Sequence, residues 1–160
     1  MLSTLTWRQN VQPFDSENVR ELVASTQVFS VEEIRVAGEL VEDCLQKGAT
    51  SEYRFLFIEE SERLIGYTCF GLIPFTDQRY DIYWIAVVPQ YQQQGLGKEL
   101  LQKTEEIISQ MGGKIIYMET SSRDIYLPTR NFYSRNGYQK IAELENFYRD
   151  GDNKIIYSKK

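Results

Sequence analysis

The segment from Asp81 to Thr120 constrains the fold more than any other. Residues 81–88 read as an apolar extended strand stopped by Pro89, and a polar loop containing Gly95 and Gly97 follows. Leu96, Leu100, Ile107, Ile108 and Met111 then mark one face of a helix, which Gly112 and Gly113 end. Residues 114–120 are again extended. Two strands joined through a helix of roughly four turns form a crossover, and that connection makes them parallel neighbours.

The chain before this unit has a different period. Residues 54–59 and 64–75 read as strands joined by the polar Glu60-Ser61-Glu62-Arg63 turn, with Pro74 marking the end of the second. With 81–88 they form an antiparallel meander. Upstream, residues 4–11 alternate weakly, as in an edge strand, and Asp15 or Ser16 caps a short helix carrying Val19, Leu22 and Val23. Ser30 and Glu33 have capping-box spacing before a helical stripe of Ile34, Ala37, Val41, Cys44 and Leu45 that ends at Gly48. Downstream, Pro128 suits the first turn of a helix running to Asn136, with Gly137 as its cap. Residues 138–148 and 154–159 then pair across the Asp150-Gly151-Asp152-Asn153 turn, and Lys159 and Lys160 read as a solvated tail. The sum is an α+β fold, a mixed but mostly antiparallel sheet of about six or seven strands with helices on both faces.

A chain of 160 residues suits one domain, 1–160, with a core large enough to need no disulfide or metal. The formal net charge of −5 argues against a basic nucleic-acid footprint. There is no histidine, which removes Ser-His-Asp and Cys-His catalysis and His-containing metal sites. Acid–base chemistry is left to Asp, Glu, Tyr, Lys or Cys. Cys44 and Cys69 are distant in sequence, form no metal or redox motif, and read as buried free thiols; no metal is expected. No apolar run approaches the roughly 18 residues of a membrane span. Residues 1–12 lack the basic and apolar regions of a signal peptide, so a cytoplasmic protein with no membrane partner is expected.

The chemistry is concentrated where the strand ends and the helix begins. Backbone N–H groups and the positive end of a helix dipole converge there, a ready site for a phosphate or pyrophosphate. Gly95 and Gly97, lacking Cβ, allow a ligand close to the backbone. A Walker A loop would need glycine at Gln92 and Ser or Thr at Glu99; a dinucleotide fingerprint would need glycine at Leu100. The remaining alternative from residue type alone is a polar loop that only caps a helix.

Gln92-x-x-Gly95-x-Gly97, following a strand that ends Ile85-Ala86-Val87, resembles the acetyl-CoA motif of the GNAT superfamily of N-acetyltransferases. The order of elements supports the resemblance over nearly the whole chain, including a late helix with Phe132-Tyr133 followed by Asn136-Gly137-Tyr138. The resemblance implies that backbone groups of Ile85, Ala86 and Val87 pair with the pantetheine arm of acetyl-CoA. It implies that Gln92, Gln93, Gln94, Gly95, Leu96, Gly97 and Lys98 hold the pyrophosphate. It also implies that the sheet splays between strands 81–88 and 114–120 to admit the thioester.

By the same resemblance, Tyr133 is the candidate general acid for the departing thiolate, Asp81 and Glu119 are alternative bases, and Val87 N–H is the oxyanion donor. Asp81 lies six residues before Val87, which by strand parity places both side chains on one sheet face. Many relatives carry a cofactor-contacting Asn about seven residues before the tyrosine; here that slot is Tyr126, and Asn131, nearby but out of register, is the candidate cofactor contact. Phe29, Tyr83 and Tyr126, with Tyr80 and Trp84, are candidates for the acceptor site or for core packing.

The expected activity is direct transfer of acetyl from acetyl-CoA to a primary amine on a small molecule or peptide. The alternative is a non-catalytic acyl-CoA sensor or regulatory module. The resemblance also allows a homodimer, although no residue argues for one.

Overall fold

The computed structural model describes residues 4–160; the first three residues of the segment read above for a signal peptide lie outside the described residues. The strands are β1 (Leu5–Arg8), β2 (Arg54–Glu60), β3 (Arg63–Leu72), β4 (Arg79–Val87), β5 (Ile115–Ser121), β6 (Gln139–Arg149) and β7 (Asp152–Lys159). The helices are α1 (Asp15–Ser25), α2 (Val31–Lys47), α3 (Leu96–Gln110) and α4 (Leu127–Arg135). The strands form one seven-stranded sheet in the order β1-β2-β3-β4-β5-β7-β6. Every neighbouring pair is antiparallel except β4 and β5, which the α3 crossover makes parallel. The expected α+β architecture is therefore the one found. No helix among the described residues is long and apolar enough to cross a membrane.

Helices cover both faces, as the continuous burial of β3 requires. On one face the buried Thr68 hydroxyl meets that of Thr104 of α3 at 2.8 Å, and Thr104 in turn donates to Leu100 O. On the other, Arg8 of β1 lies 4.6 Å over the Phe57 ring and binds Asp15 at the start of α1 at 2.7 Å. Tyr138 beyond α4 donates to Glu105 of α3 at 2.7 Å, so α4 shares the α3 side.

Several local details differ from the sequence reading. Asp15 does not cap α1; Phe14 occupies that position, and Asp15 sits fully buried in the first turn, accepting Gln12 N–H and the Arg8 guanidinium. β3 stops at Leu72 because Ile73 N–H closes the hairpin onto Arg79 O at 2.8 Å and Pro74 has no N–H to continue it. Cys69 is buried as expected, whereas Cys44 is only partly so. Lys159 is not a free tail, since its ammonium bridges Glu105 at 3.1 Å and Asn136 O at 3.0 Å. The Ser30–Glu33 capping box forms as read.

The pairing of β4 with β5 is short. It spans Arg79↔Ile115, Tyr80↔Ile116 and Asp81↔Tyr117, and then the strands part. β5 stays on β7 as far as Ser121↔Lys154, while β4 stays on β3 as far as Gly66↔Val87. A gap between β4 and β5 results.

Candidate active site

Register assigns each β4 side chain to a face. Thr68 pairs with Ile85 and Gly66 with Val87, so Ile85 and Val87 lie on the α3 side. Cys69 pairs with Trp84 and Gly71 with Asp81, so Trp84 and Asp81 face the α1–α2 side. Pairing passes from Cys69↔Trp84 to Phe70↔Ile82, which leaves Tyr83 as an extra residue. This bulge reverses the parity, and Asp81 and Val87 do not share a face as simple alternation predicts. Across the gap, Glu119 and Ser121 share the face of Tyr117, the partner of Asp81.

The backbone of β4 also addresses the gap. Val88 N–H donates to Ile65 O at 2.9 Å, so the alternate residues Val87 and Ile85 turn their N–H and C=O away from β3. Gln92 Nε2 reaches Val87 O at 3.0 Å and ties the glycine loop to the strand end. At the loop, Gly95 adopts φ 77°, a left-handed conformation that glycine reaches without strain, and a Cβ there would meet nothing within 4 Å. Among the described residues, the N–H groups of Gln93, Gly95, Leu96, Gly97 and Lys98 have no hydrogen-bond acceptor. Five unpaired donors therefore sit at and just before the positive end of a helix of 15 residues. Gln92, Gln93, Gln94, Gly95 and Lys98 are exposed there, whereas the Leu96 side chain turns into the core and leaves only its N–H.

The gap opens into a cavity of about 420 Å³. Tyr133, Ile85 and Thr120 line it from the α3–α4 side; Tyr83, Trp84 and Glu119 line it from the other, with Phe29 of the α1–α2 loop above them. Phe29 packs on Trp84 at 5.3 Å and on Tyr126 at 6.3 Å, closing one wall across three elements. The cavity is thus a passage through the sheet. Of the sequence candidates, Tyr133, Glu119, Ile85, Phe29, Tyr83 and Tyr126 meet in it. Asp81 lies beside it without lining it, and Ala86 and Val87 are buried in the strand. Asn131 is exposed on α4 outside the cavity, and Tyr80 is buried outside it.

The titratable groups are unequal. Asp81 is half-buried, and burial together with the nearby Glu119 charge pushes its carboxyl up to about 6. Glu119 is committed to Lys154 at 2.9 Å. Burial raises the Tyr133 phenol well above its ordinary value and keeps it protonated. Its ring is held by Tyr157 at 5.6 Å and Tyr138 at 6.3 Å. Burial and the neighbouring Asp81 also raise the Tyr83 phenol. No group of three or more potential metal ligands exists among the described residues.

The family model for the acetyltransferase (GNAT) family matches residues 17–138. The chain belongs to the GNAT family. A GNAT-family protein from Desulfovibrio desulfuricans has the same structure with TM-score 0.94 and 42% identity, over 98% of this chain and 99% of that one. The fold is shared with the PaiA N-acetyltransferase of Thermoplasma acidophilum in complex with coenzyme A, at TM-score 0.74 and 19% identity over 98% and 99% of the chains. It is shared also with the aminoglycoside 6'-N-acetyltransferase of Enterococcus faecium, at TM-score 0.74 and 16% identity over 98% and 96%. No curated protein sequence matches the chain significantly. In this GNAT fold the cavity-lining residues that sequence reading missed include Arg123, Tyr148, Arg149 and Asp152. They arrive from the loop after β5 and the β6–β7 turn, and only the register of β7 on β5 brings that turn to the gap.

Proposed function

We propose that this GNAT-family protein transfers an acetyl group from acetyl-CoA to a primary amine within a ternary complex. The observation that carries the reading is the passage between β4 and β5, with the unpaired loop N–H groups and Tyr133 on one side and Asp81 and Glu119 on the other. Donor and acceptor enter from opposite faces and meet in the gap, so no covalent enzyme intermediate is required.

The loop N–H groups hold the pyrophosphate, and the polar backbone of Ile85 and Val87 receives the pantetheine arm as an added strand. An alkylammonium has a pKa of about 10 and must lose a proton before it can attack. Asp81, ionised at neutral pH and on the acceptor face, accepts that proton through water, because it stands beside the cavity rather than in it. Glu119 is the weaker candidate because Lys154 already holds it. The amine nitrogen attacks the thioester carbonyl carbon and a C–N bond forms. Val87 N–H stabilises the oxyanion. The C–S bond breaks, Tyr133 gives its proton to the leaving sulfur, and the second proton on the attacking nitrogen passes through water to restore the Tyr133 phenol, while Asp81 releases its proton to solvent. The products are the acetamide and free CoA thiol.

The test is release of CoA thiol from acetyl-CoA in the presence of a panel of primary amines, with mass spectrometry of the amine. Amine-dependent thiol release with an acetylated product supports the proposal. Binding of acetyl-CoA with no amine acetylated supports the acyl-CoA sensor instead.

A further inference from the structure

We propose that the acceptor carries a compact anionic group, a carboxylate in the first instance, beside its amine, and that Arg123 and Arg149 receive it. This rests on the acetyltransferase reading above and narrows it to amino-acid-like or dipeptide-like amines.

Both arginines line the cavity. Their common partner is Asp152, at 2.8 Å from Arg149 and 3.5 Å from Arg123. The Asp152 carboxylate is only 4% exposed and also accepts the Ser121 hydroxyl. One shared carboxylate between two guanidiniums leaves most of their N–H donors unused at the cavity wall. The backbone that carries Arg123 is also held in place. Arg130 Nη1 donates to Ser121 O at 2.8 Å and to Arg123 O at 2.9 Å, which clamps the turn that carries Arg123.

Sheet register excludes the cofactor phosphates as the anion. Ser121 lies on the same face as Glu119 and Asp81, opposite the face that carries Val87 and α3. The arginines therefore belong to the acceptor side. On that side the Asp81 carboxylate stands beside Tyr83, where the amine must lie to reach the gap, while Glu119 is already held by Lys154. An acceptor with an amine at one end and an anion at the other matches both signs, whereas a diamine would set its second cation against the guanidiniums. Glu33 also lines the cavity and keeps its negative charge, one oxygen accepting Ser30 N–H at 3.0 Å, but as an acceptor it occupies none of the guanidinium N–H donors. The volume of about 420 Å³ suits a small molecule rather than a folded partner.

The experiment compares kcat/KM for an α-amino acid, a dipeptide, the carboxamide of each, phosphoethanolamine and a diaminoalkane, with acetyl-CoA affinity measured by calorimetry on the same samples. The expected result is a preference of about tenfold or more for the anion-bearing amine over its neutral twin, the scale of a lost charge-assisted hydrogen bond. Arg149→Gln and Arg123→Gln each erase that preference and leave acetyl-CoA affinity unchanged. Preference for phosphoethanolamine over both carboxylates identifies a phosphate ester as the source of the anion. Equal or better turnover of the carboxamide or the diamine overturns the inference. So does a protein that binds acetyl-CoA and acetylates no anion-bearing amine. Failure to bind acetyl-CoA at all strikes instead at the acetyltransferase reading.

Discussion

Asp81 and Val87 lie on opposite faces of β4 because Tyr83 bulges between them. The consequence is a division of labour across the sheet. The carboxylate that can take a proton from the acceptor stands on one side, and the loop that can hold the donor stands on the other. The parting of β4 from β5 after Asp81 supplies the opening between them.

Asp81, raised to about 6 by burial and by Glu119, sets an acid limb. kcat/KM rises with pH through an inflection near 6, and Asp81→Asn removes that inflection. The sign for stability is opposite. The folded carboxyl holds its proton to a higher pH than the unfolded one, so the folded state binds more protons between the ordinary carboxylate range and about 6. Ionisation of Asp81 therefore lowers stability as pH rises through that window. Asp81→Asn has a higher Tm than the parent at pH 8 and nearly the same Tm at pH 4, which thermal unfolding at the two values checks.

Tyr133→Phe keeps the buried ring and its packing on Tyr157 and removes only the hydroxyl. kcat falls roughly 10²-fold, typical of a lost general acid, and acetyl-CoA affinity is retained. Steady-state kinetics with calorimetry on the variant separates the two. Unchanged turnover removes the assignment.

Gln92→Ala loses the bond to Val87 O. A neutral hydrogen bond contributes about 1 kcal/mol, so KM for acetyl-CoA rises about fivefold while kcat hardly changes. A fall in kcat with KM intact would show that Gln92 acts on the chemical step.

Two glycines respond in opposite ways. At Gly97 a Cβ would sit 3.5 Å from the Phe132 ring, an ordinary contact, so Gly97→Ala keeps its Tm but weakens acetyl-CoA binding about tenfold by crowding the ligand's approach. At Gly71 a Cβ would lie 2.0 Å from Glu52 O, and Gly71→Ala destabilises the fold by about 2 kcal/mol or more. Melting curves and titrations of both variants check the contrast.

The parts of the site made by residues adjacent in sequence were legible from the chain. The strand ending Ile85-Ala86-Val87, the Gly95–Gly97 loop and the helix behind it follow from spacing and glycine placement. The parallel pair follows from the length of the crossover. The acceptor side was legible only in fragments. Phe29, Tyr83 and Tyr126 could be named as aromatic candidates, but aromatic type alone does not separate a cavity wall from a core. Arg123, Arg149 and Asp152 carry no local signal, because a charged turn residue is ordinarily solvated; pairing of β7 on β5 brings them together. The bulge at Tyr83 was likewise invisible, since the sequence 79–87 shows no glycine or proline to mark it.

The most direct test is calorimetric titration of the protein with acetyl-CoA, CoA and ATP. The expected result is micromolar binding of acetyl-CoA and CoA, with ATP weak or silent, because the proposed site combines loop amides for the pyrophosphate with a β4 edge for a pantetheine arm that ATP lacks. A folded sample that binds neither CoA species, or that binds ATP as well as CoA, would contradict it.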